Sequence, residues 1–136
     1  MSRPNNWQSR LQQCIKERWR TPFTWGQQDC AMFAADCVRA VTGVDPAARY
    51  RGTYSDALGA MRVLHATDGL AGLAQATLGE EIDPRMAALG DIGLSANQGS
   101  ACLAVCGGNV WYGPGAGGLE RLPFDSIKRA WRTPGG

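Results

Sequence analysis

The chain has 136 residues, 44% of them hydrophobic and 19% charged, with a formal net charge of +2. That is the size and balance of one globular domain able to bury a core, and it excludes a disordered or collagen-like chain. So small a charge gives no electrostatic ground for nucleic-acid binding, and no apolar run reaches membrane-spanning length, so neither nucleic acid nor membrane insertion is expected.

The opening "MSRPNNWQSRLQQ" has no apolar run of signal-peptide type, and synthesis in a cytoplasm is the default expectation. Trp7, Leu11, Cys14, Ile15 and Trp19 then fall along one side of a first helix, with Pro4 in its first turn and Pro22 ending it. A second helix is the clearest in the chain. Cys30, Phe33, Ala34, Cys37, Val38 and Val41 form a buried stripe, Asp29 is a good N-cap, and Gly43 supplies a left-handed stop. "DPAARYRGTY" reads as a loop, and Ser55 can cap a third helix that runs to about His65. "TDG" is a turn before a short fourth helix ending near Gly79.

Beyond "DPRMAALGD" the character changes. "DIGL", "ACLAVC" and "NVWYG" are short, apolar and punctuated by Gly or Asn, which predicts antiparallel strands with a hairpin turn at Gly107-Gly108-Asn109. "GPGAGG" lacks the Lys-Ser/Thr of a phosphate loop and reads as a flexible connection. "LERL" suits another strand, and "PFDSIKRAW" a short closing helix. The expectation is a single α+β domain, with N-terminal helices packed on a small antiparallel sheet. Its helical part would span about 4–79, its sheet about 90–122 and its closing helix about 124–131.

Five cysteines, at positions 14, 30, 37, 102 and 106, are an odd number without a secreted framework's spacing, which predicts reduced thiols. Cys30 and Cys37 share a helix face, and Cys102 and Cys106 a strand face. Neither spacing is that of a zinc knuckle, so no metal and no other cofactor is expected. Basic residues gather near both ends: Arg10, Lys16, Arg18 and Arg20, then Lys128, Arg129 and Arg132. They read either as solvated helix faces or as one basic docking surface. Most of the five tryptophans belong in a core. Trp7 and Trp131, near the ends, are the candidates for an interface, together with Arg129 and Arg132.

Cys30 carries the chemistry. A cysteine in the first turn of a helix sits at the positive end of the macrodipole beside unpaired N–H groups. Both favour the nucleophilic thiolate, and the same N–H groups can hold an oxyanion. Asp29 reads as an N-cap rather than a catalytic acid, and Asp91 as a turn or strand-start residue.

"PFTWGQQDC", "LGDIGL" and the following hairpin strand resemble the NlpC-type cell-wall cysteine peptidases, compact papain-like enzymes. Pro22, Trp25, Gly26, Asp29, Cys30, Gly90 and Asp91 match that family's pattern, and the likeness spans roughly residues 20 to 115. It implies a papain-like fold with Cys30 in the nucleophile's place. The next strand should carry the catalytic His, yet "CLAVCGGN" puts Cys102 there. Phe23 stands where the family often has Tyr. His65, the one histidine of the chain, would serve as base only if its helix folded over the start of the second helix. With Cys102 facing Cys30 across the site, a Cys30–Cys102 disulfide in oxidising surroundings is implied.

"WGQQDCAMFAADCVRAVTGVDPAARYRGTY", with "LGDIGL" and "IKRAWR", also resembles a family of small phage and prophage proteins encoded among tail genes. The resemblance implies a structural component of a bacteriophage tail tip or baseplate. It would be a catalytically degenerate NlpC-like domain bound to hub, neighbouring and host-specificity tail proteins. Such a protein would be made in the bacterial host's cytoplasm, reside at the virion tail tip and meet the periplasm during infection. An alternative is an active cysteine peptidase or amidase that cleaves peptidoglycan peptides during DNA entry. A third reading is a tail-assembly factor absent from the virion.

Overall fold

The computed structural model describes residues 3–97 and 100–135. Four helices come first: α1 Trp7–Arg18, α2 Cys30–Thr42, α3 Ala57–Ala66 and α4 Gly69–Thr77. Six strands follow: β1 Glu81–Ile82, β2 Ile92–Asn97, β3 Ser100–Cys106, β4 Val110–Gly115, β5 Gly118–Pro123 and β6 Ile127–Trp131. The strands form one antiparallel sheet in the order β1-β6-β2-β3-β4-β5. The protein is thus α+β, with its helices gathered at the start of the chain.

The helix α2 forms as its stripe and caps dictate. Asp29 Oδ1 accepts the Met32 N–H at 2.8 Å, and Gly43 ends the helix at φ 84°, where a side chain would be strained. Phe33, Cys37 and Val41 are wholly buried and join Leu11 of α1 with Ile92, Leu103 and Val105 of the sheet in the main core. Cys14 and Cys37 meet across the α1–α2 contact, their sulfurs 3.9 Å apart. Alongside them, Arg18 and Arg51 both bind Asp36, and Arg51 also binds Asp45 at 2.6 Å. These pairs fasten the loop after α2 to both helices.

The third helix starts one residue later than Ser55 suggests, because Asp56 Oδ1 takes the cap by accepting the Gly59 N–H. Asp68, at φ 66°, makes the turn into α4. Within α3 only Ala60 is buried, whereas α4 sets Leu70 and Ala74 into the core, so the pair covers the core as a flap anchored by α4.

The sheet buries both faces. Leu103 and Val105 of β3 face the helices, while Ala104 and Cys106 join Trp111, Ile127 and Ala130 in a second cluster. Gly93 and Ala104 leave room for the Trp111 indole, and a Cβ on Gly93 would run into that ring.

Two expectations need correction. Residues 124–131 form no closing helix: Phe124–Ser126 is a 3-10 turn, and Ile127–Trp131 is β6, inserted between β1 and β2. Ser95 pairs with Ile127 but Leu94 with Arg129, so Lys128 is an extra, bulged residue. The bulge brings Ile127 and Ala130 to one face at a spacing of three, which imitates a helix. Likewise "GPGAGG" is no open loop; it closes the β4–β5 hairpin, with Pro114 opposite Leu119 and Gly115 opposite Gly118.

Candidate functional site

The site gathers where α2 begins. Gly26, at φ 80°, turns the chain beneath the Tyr54 carbonyl so closely that a Cβ would collide with it. Thr24 and Gln28 close that turn as a short antiparallel bridge. Asp29 is buried, and its carboxylate is fully engaged. Oδ1 caps Met32, while Oδ2 accepts the Gly26 N–H at 2.9 Å and the Tyr54 hydroxyl at 2.6 Å. Burial and the bond to Asp29 push the Tyr54 phenol far above its ordinary pKa. Asp29 is therefore a structural cap, its carboxylate held by three donors.

Cys30 follows as the first residue of α2, with its N–H and that of Ala31 at the helix tip. Its thiol lies beside the Cys102 thiol of β3, which donates to the Leu103 carbonyl at 3.5 Å, so the structure brings together the two cysteines singled out in the sequence. They titrate as a pair. Each thiol is the largest influence on the other: their proximity raises Cys30 well above the usual thiol value and lowers Cys102, while burial raises each. No cation lines the space around them, and the nearby Asp29 charge disfavours a thiolate on either. We assign Cys30 as the proton-holding member, which opposes the pull of the helix N-terminus.

His65 does not reach this place. It is exposed on α3, while its neighbours Val63 and Leu64 point inward and line the space beside Cys30. What stands there is a thiol facing a thiol, with two N–H groups and a committed carboxylate. Such a set can bind, hydrogen-bond and exchange disulfides, but it lacks the proton acceptor and donor that amide cleavage uses.

The remaining sequence candidates lie elsewhere. Trp25 is 40% exposed, stacks edge-on with Phe23 and stands at the edge of the site. Asp91 is buried before β2, where it accepts the N–H groups of Ala88 and Thr133 and pairs with Arg132 at 3.3 Å. Trp131 is a correction: it is wholly buried, its indole donating to Gln75 of α4, so it offers no interface. Trp7 is half-buried against the main core beneath the Arg3 guanidinium. Arg129 binds Glu81 through two hydrogen bonds, which together with the Arg132 pair leaves the end of the chain less free as a basic surface than expected. Cys106 lies in the second cluster and Cys37 against Cys14, so the four cysteines weighed as metal ligands do not converge. Among the described residues no group of three or more His, Cys, Asp or Glu could hold a metal ion.

Three features had little or no signal in the sequence. Tyr54 braces Asp29 from a loop. Gln28 is buried, and its amide finds no hydrogen-bond partner among the described residues. Beside the thiols lies an apolar cavity of ≈ 280 Å³, walled by α2 and β3 and roofed by α3 and α4.

The fold and site together define an α+β domain with a thiol-paired, apolar pocket at the head of its core helix. Residues 2–133 match the family described as "Domain of unknown function (DUF6950)", and the chain belongs to that family. No curated protein matches it.

Proposed function

We propose that the protein is a catalytically silent relative of the papain-like NlpC-type peptidases that works by binding, as a structural component of a bacteriophage tail tip or baseplate. The tail assignment rests on the resemblance of "WGQQDCAMFAADCVRAVTGVDPAARYRGTY" and "IKRAWR" to small tail-cluster proteins. The loss of catalysis rests on one observation: Cys30 is met by the Cys102 thiol and not by an imidazole. A helix N-terminal cysteine packed on an antiparallel sheet fits the nucleophile's position in such peptidases, and the adjacent Cys102 thiol together with burial favours its protonated form. The partners on this reading are hub, neighbouring and host-specificity tail proteins.

Two measurements test the proposal. Mass spectrometry of purified virions should find the chain in the finished particle; its absence there would favour an assembly factor. A phage carrying Cys30→Ala should assemble and infect as the parent does. A Cys30→Ala phage that assembles but fails to infect would instead point to an active peptidase acting during DNA entry.

A further inference from the structure

We propose that the cavity beneath α3 and α4 is a binding site for a neutral, unbranched alkyl chain, held tail-inward with its polar end beside Trp25 and the thiol pair. The inference concerns what the pocket holds and does not depend on where the protein works.

The lining decides the chemistry of the ligand. Its deep end is Val38, Ala74, Ile92 and Leu103, all buried, and its outer end is Trp25 and Ala101, both exposed. The wall contributed by α2 runs from Cys30 to Val38, about 12 Å at the helical rise. A volume of ≈ 280 Å³ drawn out over that length suits one chain of about eight to ten carbons better than a compact ring system.

Water is a poor occupant. The Asp29 carboxylate and the Tyr54 hydroxyl are spent on each other and on backbone, and Thr77 donates to the Leu73 carbonyl at 2.7 Å. Apart from the Tyr50 hydroxyl and the two thiols, the lining offers an ordered water few polar partners, and closed apolar cavities of about half this size stay dry and take up hydrocarbons. The headgroup follows from charge. The lining holds no Lys, Arg or His, and its one ionisable carboxyl is Asp29. A carboxylate or phosphate would find no cation there, only the two N–H groups at the tip of α2, and would face the Asp29 carboxylate, whereas a hydroxyl or an ester would meet only dipoles and thiols.

Calorimetric titration of the full chain with 1-octanol tests this, beside 1-butanol and octanoate at pH 8. Saturable one-to-one binding of 1-octanol is expected, with a negative heat-capacity change. Affinity should drop about fourfold per methylene removed, hence about two orders of magnitude for 1-butanol. Octanoate should bind at least about tenfold more weakly than 1-octanol. Ala74→Phe, which fills the deep end, should abolish binding in a folded protein; Val63→Trp, from the flap, serves if Ala74→Phe does not fold. No saturable binding of 1-octanol, equal binding of 1-butanol, tighter binding of octanoate, or binding unchanged in the folded variant would each overturn the proposal.

Discussion

A thiol in the first turn of a helix is pulled two ways. Backbone dipoles favour the thiolate, while an adjacent second thiol, burial and a neighbouring carboxylate favour the proton. At Cys30 the second set acts at closer range, and the pair with Cys102 becomes a dithiol rather than a nucleophile and its base. Glutathione disulfide supplies the oxidant for a check on that pairing. One cysteine of the pair attacks and releases glutathione, the other displaces the second glutathione, and the protein loses two hydrogens. Peptide mapping should then find Cys30 joined to Cys102; either cysteine joined to a different partner, or both left unpaired, would contradict the arrangement. Asp29 is the other residue with a clear cost. Asp29→Ala removes the cap of α2 and orphans the Tyr54 hydroxyl and the Gly26 N–H, so chemical denaturation should show a loss of about 2–3 kcal/mol. A loss under about 0.5 kcal/mol would show that the cap carries little. The cap, the nucleophile-like start and the missing strand histidine were all legible in "TWGQQDC" and "ACLAVC". Tyr54 was not, because a loop residue that meets Asp29 from 25 positions away leaves no periodic trace.

At the scale of elements, the helices were legible because caps and stripes are local signals. Asp29, Gly43 and the run Cys30–Val41 specify α2 without any help from the rest of the chain. The segment 124–131 failed for the opposite reason. Its identity depends on β2 and β1 offering edges to pair with, and the bulge at Lys128 restores the spacing of a helix. Trp131 shows the consequence: Trp131→Ala should cost about 3–5 kcal/mol in a denaturant melt, as a buried aromatic does, where an interface residue would leave stability nearly unchanged. The loop after α2 is held electrostatically. The hydrogen bond from Arg51 keeps the Asp45 carboxyl below its ordinary value, so its contribution is full above the unfolded carboxyl pKa and fades as pH falls through the lower folded one. Asp45→Asn should therefore lower the urea midpoint at pH 6 and lose that effect progressively below about pH 4. An Asn variant equally destabilised at pH 3 would contradict this account.

For the molecule as a whole, the order of helices before strands was enough to give α+β, since a sheet with one covered face must recruit those helices. The cavity was invisible at that level. Only the convergence of Ala34, Ala35, Ala60 and Ala74 under the flap leaves space unfilled, and small residues dispersed over three helices give no local signal of it. The same flap keeps His65 on its outer side, which separates a helical histidine near the right elements from one in the right place.

The reading of a site without catalysis turns on the protonation of Cys30, and the pH dependence of its alkylation by iodoacetamide, followed by peptide mass spectrometry from pH 6 to 11, reports that state. The rate should stay low through neutral pH and climb only above about pH 9. A fast rate that is already level below pH 7 would mean a stabilised thiolate, and would contradict a site built for binding alone.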